Sequence, residues 1–317
     1  MHKQTECLQD TPAIPAMGAK RVNQERIRQL AGIGYVNLAT LAWASNMVIG
    51  RLVRDDIGPI TLSASRFTVA AVFFLILLQQ TPKIGRPTRA ALPLLAGMAL
   101  SGVILFSPLL YLGLHFTTAV NGTLINGTGP LLTGLLAALL IREPMKGRQI
   151  GGALLALAGV VWLISGGAFA FWQQAGYNVG DLLVLTAVAT WGGYSILSGR
   201  VMRLMPAVAA TAWSIFLGLP VLWLLAAWEL YTSPIEMSFK LAMIVFYLGL
   251  GPAAIGFYAW NQGVARLGAS GAMVFYNTLP LYGAMLGALS LGEPIGQAHL
   301  VGGLLIIGGG LWASRKR

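Results

Sequence analysis

Long apolar segments separated by short polar breaks dominate the chain from residue 30 to its end. Each segment is close to the roughly 20 residues of helix that cross the hydrocarbon core of a bilayer. The breaks between them carry proline, glycine and charge, as in Glu143-Pro144 and Glu293-Pro294. The pattern predicts ten helical spans, over residues 30–53, 59–79, 91–113, 119–141, 149–167, 179–199, 207–228, 240–263, 269–291 and 297–313.

The composition supports a surface that faces lipid. Hydrophobic residues make up 56% of the chain and charged residues only 10%, and the mean hydropathy is +0.72. A soluble domain carries about 25% charged residues, because its surface must be solvated by water. The predicted fold class is therefore an all-α integral membrane protein.

The basic residues are distributed unevenly between the predicted loops. The chain has 21 Lys and Arg against 10 Asp and Glu, a balance also found in nucleic-acid-binding proteins. Here most of the cations lie in one alternate set of segments, which includes both tails. The opposite set holds only Arg51, Arg54 and Lys240. By the positive-inside rule, this asymmetry predicts that both termini are cytoplasmic, that the lipid bilayer is the partner, and that nucleic acid is not.

The N-terminal segment predicts no cleaved leader and no disulfide. Cys7 is the single cysteine, and it lies in a mostly polar tail. The first apolar segment is too long for the core of a signal peptide and lacks its flanks. We therefore expect a multi-pass protein of a bacterial-type inner membrane.

The two halves of the chain resemble each other at an offset of 150 residues. Matching positions include Gly113 with Gly263, Pro130-Leu131 with Pro280-Leu281, Glu143-Pro144 with Glu293-Pro294, and Trp162 with Trp312. Each half holds five predicted helices, an odd number, so the second copy enters the membrane from the other side. The pattern predicts two inverted five-helix repeats with a substrate site between them near the midplane. The predicted parts are a tail (1–29), the first repeat (30–167), a linker (168–178), the second repeat (179–313) and a basic C-terminal tail (314–317).

Several motifs resemble the drug/metabolite transporter superfamily and, within it, the EamA-type ten-helix exporters. They are Trp43, Ser65-Arg66-Phe67, Pro130 with Glu143-Pro144, Gly180-Asp181 before Trp191, and Pro280 with Glu293-Pro294. More narrowly, the chain resembles the exporters of aromatic and other neutral amino acids. The resemblance implies that eight helices line a cavity and that the last helix of each repeat is peripheral.

Polar and aromatic side chains inside the predicted spans are the candidate substrate contacts. An Asn that faces lipid is costly, so most of these groups should point inward, either to a substrate or to a neighbouring helix. Pro130 and Pro280 are candidates for kinks used in gating. The candidate substrate-binding residues are Trp43, Asn46, Tyr111, Asn121, Asn126, Trp191, Tyr194, Ser195, Tyr258, Asn261, Tyr276 and Asn277.

Charge within the predicted spans is sparse. Arg66 is a candidate either for binding a substrate carboxylate or for tying helices together. Asp181 stands at the start of its helix, where capping explains it. No Asp or Glu lies at mid-span, which predicts transport without proton coupling and disfavours a proton-coupled cation exporter.

An enzyme is disfavoured. Gly268-Ala269-Ser270-Gly271 matches a pattern of intramembrane serine proteases, but the candidate bases His115 and His299 belong to the opposite face in the predicted topology. A Ser–His pair needs a separation of about 3 Å. No Walker loop, dinucleotide fingerprint or metal-ligand motif appears in the sequence, so we expect no cofactor and no metal.

These observations predict a secondary transporter that exports neutral or aromatic amino acids, or related small metabolites, by alternating access. The alternatives are an exporter of amphipathic drugs or other solutes and, from another class, a membrane scaffold that transports nothing. Small residues recur at four-residue spacing in spans 149–167 and 297–313. They predict either packing within the chain or a dimer, so we expect a monomer or weak homodimer.

Overall fold

A computed structural model describes residues 15–80, 86–140, 142, 147–167, 178–267, 272, 275–276 and 278–314. Every regular element in these ranges is a helix. The helices are α1 (Pro15–Leu52), α2 (Pro59–Gln79), α3 (Leu92–Phe116), α4 (Ala119–Asn126), α5 (Gly129–Leu140), α6 (Gly147–Ile164), α7 (Val179–Val201), α8 (Ala207–Thr232), α9 (Phe239–Leu248, Gly249–Ile255 and Gly256–Leu267), α10 (Thr278–Leu291) and α11 (Gln297–Ser314).

Five of these helices, α2, α3, α7, α8 and α9, are long and apolar enough to cross a membrane on their own. The pair α4 and α5 meets the same test as one unit bent by 43°, and α6, α10 and α11 are shorter apolar helices. The described residues thus contain five or six spans by length and composition, against ten predicted. Polar residues such as Asn37 and Asn46 interrupt the apolar stretch of α1, and residues just before α10 lie outside the described part. The chain is a multi-pass membrane protein.

Some predicted parts differ in extent from the structure or lie outside its described ranges. The predicted tail over residues 1–29 is helical from Pro15, where α1 begins, so α1 continues well before the apolar stretch. Most of the predicted linker and the Glu143-Pro144 turn lie outside the described residues. The predicted kink near Pro130 appears as the bend between α4 and α5, just before this proline. Proline suits the first turn of a helix because it has no N–H to satisfy there.

The third helix of each half contains a π-helical turn at the same relative position. These turns are Ala99–Leu105 in α3 and Gly249–Ile255 in α9, which follow the offset of 150 between the halves. π turns are rare and occur mostly at functional sites. The backbone therefore repeats a feature that the aligned residues alone do not predict.

Close helix pairs join the two halves at each end of the bundle. At one end, here called the Arg266 end, the middle of α1 lies on the end of α9, and a Cβ on Gly263 would collide with Val36. At the opposite end, the Asp181 end, the start of α7 lies on the end of α3, and a Cβ on Gly113 would lie 2.7 Å from Val184. These contacts need glycine because the helix backbones approach so closely.

The last helices of the two halves, α6 and α11, pack against each other at the edge of the bundle. A Cβ on Gly152 would lie 2.5 Å from the carbonyl oxygen of Gly309, so the backbones are in contact there. Leu154 and Leu304 on the outer faces are 62% and 73% exposed. The small residues of these helices therefore pack within the chain, as one of the two interpretations predicted.

Candidate functional site

A central cavity lies between helices of both halves. The described residues that line it are Trp43, Asn46, Met47, Arg66, Phe106, Leu110, Asn126, Trp191, Pro252, Phe257, Tyr276 and Leu279. The cavity is thus mainly apolar and aromatic, with two amides, one phenol and one cation.

Aromatic rings from α1, α3, α7 and α9 form much of the cavity wall. The ring of Trp43 lies 6.4 Å from Trp191, 5.8 Å from Phe257 and 6.1 Å from Tyr276, measured between centroids. Trp191 in turn lies 5.0 Å from Phe106. Most of these rings meet edge to face or tilted, which are favourable arrangements for aromatic pairs. The rings therefore pack against one another around the cavity.

The π turn of α9 helps to orient this wall. The indole Nε1 of Trp43 donates a hydrogen bond to the carbonyl oxygen of Pro252, which lies within the turn (3.1 Å). A π turn and a proline both disturb the regular helical hydrogen bonds, which makes carbonyl groups available to side chains. The Trp43 ring is therefore held at one edge by the backbone of the other half.

A buried polar cluster, Asn46–Arg66–Tyr111, joins α1, α2 and α3 beside the cavity. Asn46 Oδ1 accepts hydrogen bonds from Arg66 Nη1 (3.0 Å) and from the Tyr111 hydroxyl (2.6 Å). The three residues are 5%, 5% and 3% exposed. The Arg66 guanidinium also lies 4.5 Å from the ring centroid of Phe67, a cation–π distance. Arg66 is therefore held in place by neutral groups.

Asn126, the second amide that lines the cavity, forms a hydrogen bond between the two halves. The Tyr276 hydroxyl donates to Asn126 Oδ1 at 2.8 Å, and both side chains are buried. Asn126 is the last residue of α4, at the bend before α5. The carbonyl oxygens of both cavity amides are thus engaged by donors from the protein.

Asp181 bridges the halves at the Asp181 end instead of capping its helix. Its carboxylate accepts hydrogen bonds from the Thr117 hydroxyl and from Asn121 Nδ2, the latter at 3.2 Å. The cap of α7 is Asn178, whose Oδ1 accepts from the backbone N–H of Gly180 at 2.8 Å. Asp181 therefore does not cap the helix, although it does lie in the first turn of α7, where a carboxylate complements the helix dipole. Asn121 likewise belongs to this contact.

Two glutamates from the second half cap helices of the first half. The Glu293 carboxylate accepts from the backbone N–H groups of Ala119 and Val120, both at 2.9 Å, at the start of α4. Glu229 accepts from the N–H of Thr61 at 2.6 Å, at the start of α2. A carboxylate at a helix N-terminus satisfies unpaired N–H groups and complements the helix dipole.

At the Arg266 end the two halves contact each other through hydroxyl groups, an amide and a cation–π pair. The Tyr282 hydroxyl donates to Asn37 Oδ1 at 2.7 Å, and the hydroxyls of Thr40 and Thr278 are 2.9 Å apart. The Arg266 guanidinium lies 4.7 Å from the ring centroid of Tyr35. Described contacts at this end thus use neutral groups and one cation, whereas those at the Asp181 end use carboxylates.

The structure brings together about half of the residues predicted for the site. Trp43, Asn46, Asn126, Trp191 and Tyr276 line the cavity, and so does Arg66. Tyr111 and Tyr194 lie directly behind it: Tyr111 bonds Asn46, and Tyr194 stacks on Trp191 at 4.7 Å.

Other predicted residues lie elsewhere. The Ser195 hydroxyl donates to the carbonyl of Trp191 in its own helix (2.8 Å). Tyr258 and Asn261 are half-buried in α9 and are not among the described lining residues. Asn277 lies outside the described residues. Pro280 is buried in the first turn of α10 against Gly127.

Sequence reasoning missed the apolar part of the cavity lining, notably Phe106 and Phe257. Both residues are half-buried aromatics in helices rich in apolar residues, and nothing in their type separates them from rings that face lipid. The two residues share one structural feature. Phe106 is the first residue after the π turn of α3, and Phe257 is the second residue after the π turn of α9.

Comparison with known families identifies two copies of one domain. The profile of the EamA-like transporter family matches residues 30–165 and 178–315. The two matches together cover most of the chain.

Several individual proteins are similar over most of their length. The "Uncharacterized transporter YyaM" of Bacillus subtilis is 29% identical over 263 residues, which cover 81% of this chain and 84% of that protein. The "Probable terminal-alkyne amino-acid exporter" of Streptantibioticus cattleyicolor is 28% identical over 283 residues, with 88% and 92% covered. A crystal structure with 23% identity superposes with a TM-score of 0.59 and covers 91% of this chain and 96% of its own, which shows a shared fold.

Proposed function

The chain belongs to the EamA-like transporter family, and we propose that it is a secondary transporter that exports neutral or aromatic amino acids or related small metabolites. The central cavity carries this proposal. It lies between the two halves, its wall is aromatic, and it contains amides and a cation at the centre of an otherwise apolar bundle. Such a lining suits a small solute that has an apolar body and a polar head. A relative named as an amino-acid exporter supports the same substrate class.

The proposed topology has ten spans in two inverted repeats. In this arrangement α1 crosses by its second part, α4 and α5 form one bent span, and the shorter helices α6, α10 and α11 each belong to one span. The repeated π turns and the paired glycine contacts at opposite ends support an inverted relation between the halves. The uneven distribution of Lys and Arg supports cytoplasmic termini in an inner membrane, with the Arg266 end inside and the Asp181 end outside.

The two sets of end contacts support a mechanism of alternating access. Both sets join one half to the other, and the cavity lies between them. Opening of the Arg266 end would separate the neutral pair Tyr282–Asn37, while opening of the Asp181 end would separate Asp181 from Thr117 and Asn121. We propose that the two ends open in turn around the central site, by relative motion of the halves.

The test is efflux from proteoliposomes that contain the purified protein and are loaded with a panel of amino acids at equal pH on both sides. We expect efflux of several neutral and aromatic amino acids above that of protein-free liposomes. Efflux of an amphipathic drug such as ethidium, without efflux of any amino acid, would instead support the alternative exporter. No flux of any solute would favour the scaffold.

A further inference from the structure

Arg66 is a buried cation whose hydrogen-bonding capacity is only partly used. It is 5% exposed and lines the central cavity. A guanidinium carries five N–H donors, and Arg66 uses them toward Asn46 Oδ1, from Nη1, and toward the Tyr111 side chain. Its buried Nε donates to no group in the described part of the chain. Donors of Arg66 are therefore available to a ligand.

No acidic side chain of the described residues neutralises this cation. The ion pairs among those residues are Arg54–Asp55 and His115–Asp55, at the loop after α1. Asp and Glu are absent from the described cavity lining. A buried charge without a counter-ion is costly in a membrane protein, and such residues commonly face a substrate path. The cavity thus carries positive charge that a bound anion would compensate.

Each acceptor of the cavity already receives at least one hydrogen bond, which weakens its ability to bind an ammonium group. Asn46 Oδ1 already accepts two hydrogen bonds, and Asn126 Oδ1 accepts one from Tyr276. The Pro252 carbonyl accepts from Trp43. An ammonium group offers three donors and no acceptor, so it needs free oxygens. The described lining therefore offers donors more readily than acceptors.

From these observations we propose that the transported solute is a hydrophobic monocarboxylate whose carboxylate pairs with Arg66, and that an ammonium group adds little to its recognition. This inference rests on the proposed function and narrows it. Amino acids would then be carried as carboxylates with an apolar body, and the same site would take aryl- or alkyl-carboxylates that lack the amine.

The charge and shape of the cavity lining further limit the chemical class of the transported solute. A single cation among the described lining residues matches a monoanion, whereas a phosphorylated solute would require more Arg or Lys. The rings of Trp43, Trp191 and Phe257 offer an apolar surface to an aromatic or branched body. A carboxylate and a guanidinium can meet through two parallel hydrogen bonds.

The decisive experiment is isothermal titration calorimetry of the purified protein in lipid nanodiscs with three ligands of one carbon skeleton. L-Phenylalanine has both charges, 3-phenylpropionate lacks the ammonium, and phenethylamine lacks the carboxylate. We expect the first two to bind within about tenfold of each other, and phenethylamine to bind at least about thirtyfold more weakly, as loss of a charged hydrogen-bonded pair implies. Three results would overturn the inference: a phenethylamine affinity within about tenfold of that of 3-phenylpropionate, 3-phenylpropionate more than about tenfold weaker than L-phenylalanine, or no binding of 3-phenylpropionate.

Variants of Arg66 give an independent measurement of its contribution to ligand affinity. Arg66→Gln should weaken binding of 3-phenylpropionate by at least about thirtyfold, and Arg66→Lys by less, because lysine keeps the charge but loses the two-pronged geometry. Arg200→Gln, which removes an exposed cation at the end of α7, is the matched control and should bind as the wild type does. Equal affinity in Arg66→Gln would contradict the proposal. If Arg66→Gln does not fold, the ligand series with the wild-type protein still decides the question.

Failure of this inference differs from failure of the proposed function. If proteoliposomes release amino acids but the calorimetry requires the ammonium, the transporter stands and the carboxylate class is wrong. If 3-phenylpropionate binds through Arg66 but no solute crosses the membrane, the site assignment stands and the transport function is wrong.

Discussion

Asn46 is the side chain that organises the polar part of the cavity. Its one carbonyl oxygen holds Arg66 and Tyr111 together, so helices α1, α2 and α3 share a buried hydrogen-bond network. On the other side of the cavity, Trp191 lies between Phe106, Tyr194 and the rings of α9. At the scale of single residues, the site therefore consists of a fixed polar cluster facing an aromatic wall.

Truncation of Trp191 should weaken substrate binding more than it weakens the fold. Trp191→Ala removes a ring that lines the cavity, and we expect a loss of roughly 1–3 kcal/mol in binding, or about five- to a hundredfold in affinity. Trp228→Ala is the matched control, because Trp228 is 70% exposed and lies away from the cavity lining. The measurement compares apparent affinity and melting temperature of both variants. A Trp191→Ala protein that melts lower but binds as the wild type does would remove this ring from the site.

Asp181 should be needed for stability but not for coupling to protons. Asp181→Asn keeps the shape of the side chain but weakens the hydrogen bonds from Thr117 and Asn121, at a cost of about 1–3 kcal/mol of stability. Asp55→Asn, in which the side chain is 72% exposed, should leave the melting temperature unchanged. Flux at equal pH should persist in Asp181→Asn. Transport that runs only under a pH gradient and disappears in this variant would show that Asp181 carries a coupled proton.

Among the single residues predicted from the sequence, the polar ones are those that their chemistry marks most clearly. Asn46, Arg66 and Asn126 stand out because polar side chains are costly in lipid, and all three line the cavity. Phe106 and Phe257 could not be found this way, because aromatic residues are common on both cavity and lipid faces. Ser195 was predicted from its polarity but does not line the cavity. Its hydroxyl donates to a carbonyl group of its own helix, a hydrogen bond that any serine in a membrane helix can make.

At the scale of elements, close packing of one helix on the end of another at a glycine is the recurring motif. The middle of α1 packs on the end of α9 at the Arg266 end, and the start of α7 packs on the end of α3 at the Asp181 end. The π turns in α3 and α9 repeat at the same offset. The sequence predicted the helices because apolar length is a strong signal, but it could not predict the π turns, which follow from packing and have no composition of their own. The bend after Asn126 was indicated by Pro130.

A side chain at Gly113 should separate the helices at the Asp181 end. A Cβ there would lie 2.7 Å from Val184 and 2.9 Å from the carbonyl oxygen of Gly180, so Gly113→Val overpacks the contact by about 1–3 kcal/mol. Gly193→Ala is a milder control within α7, because its Cβ would have only Ser101 within reach, at 3.8 Å. We expect a lower melting temperature and lower flux for Gly113→Val alone. Unchanged flux in both variants would argue against closure at this contact.

At the scale of the whole molecule, two related halves enclose one cavity. The family matches over residues 30–165 and 178–315 agree with the repeats predicted from the offset of 150. The proposed orientation of the halves in the membrane rests on the charge counts of the loops.

Site-directed labelling tests the proposed topology. In a Cys7→Ser background, a cysteine at Gly147, at the start of α6, should react with an impermeant thiol reagent only from the cytoplasmic side. Cysteines at Asp56 and Gly296, which are exposed in the structure, should react only from outside. Labelling of Gly147 from outside would contradict the inverted arrangement of the halves.

Counterflow in proteoliposomes tests most directly whether the central cavity alternates between the two sides of the membrane. Vesicles loaded with an excess of unlabelled L-phenylalanine are diluted into trace labelled L-phenylalanine at equal pH. A carrier with one alternating site accumulates label transiently above its equilibrium level, and we predict this overshoot for the wild type and Trp228→Ala, and its loss or reduction in Trp191→Ala. Uptake of label without an overshoot and without saturation, or uptake equal to that of protein-free vesicles, would contradict the account.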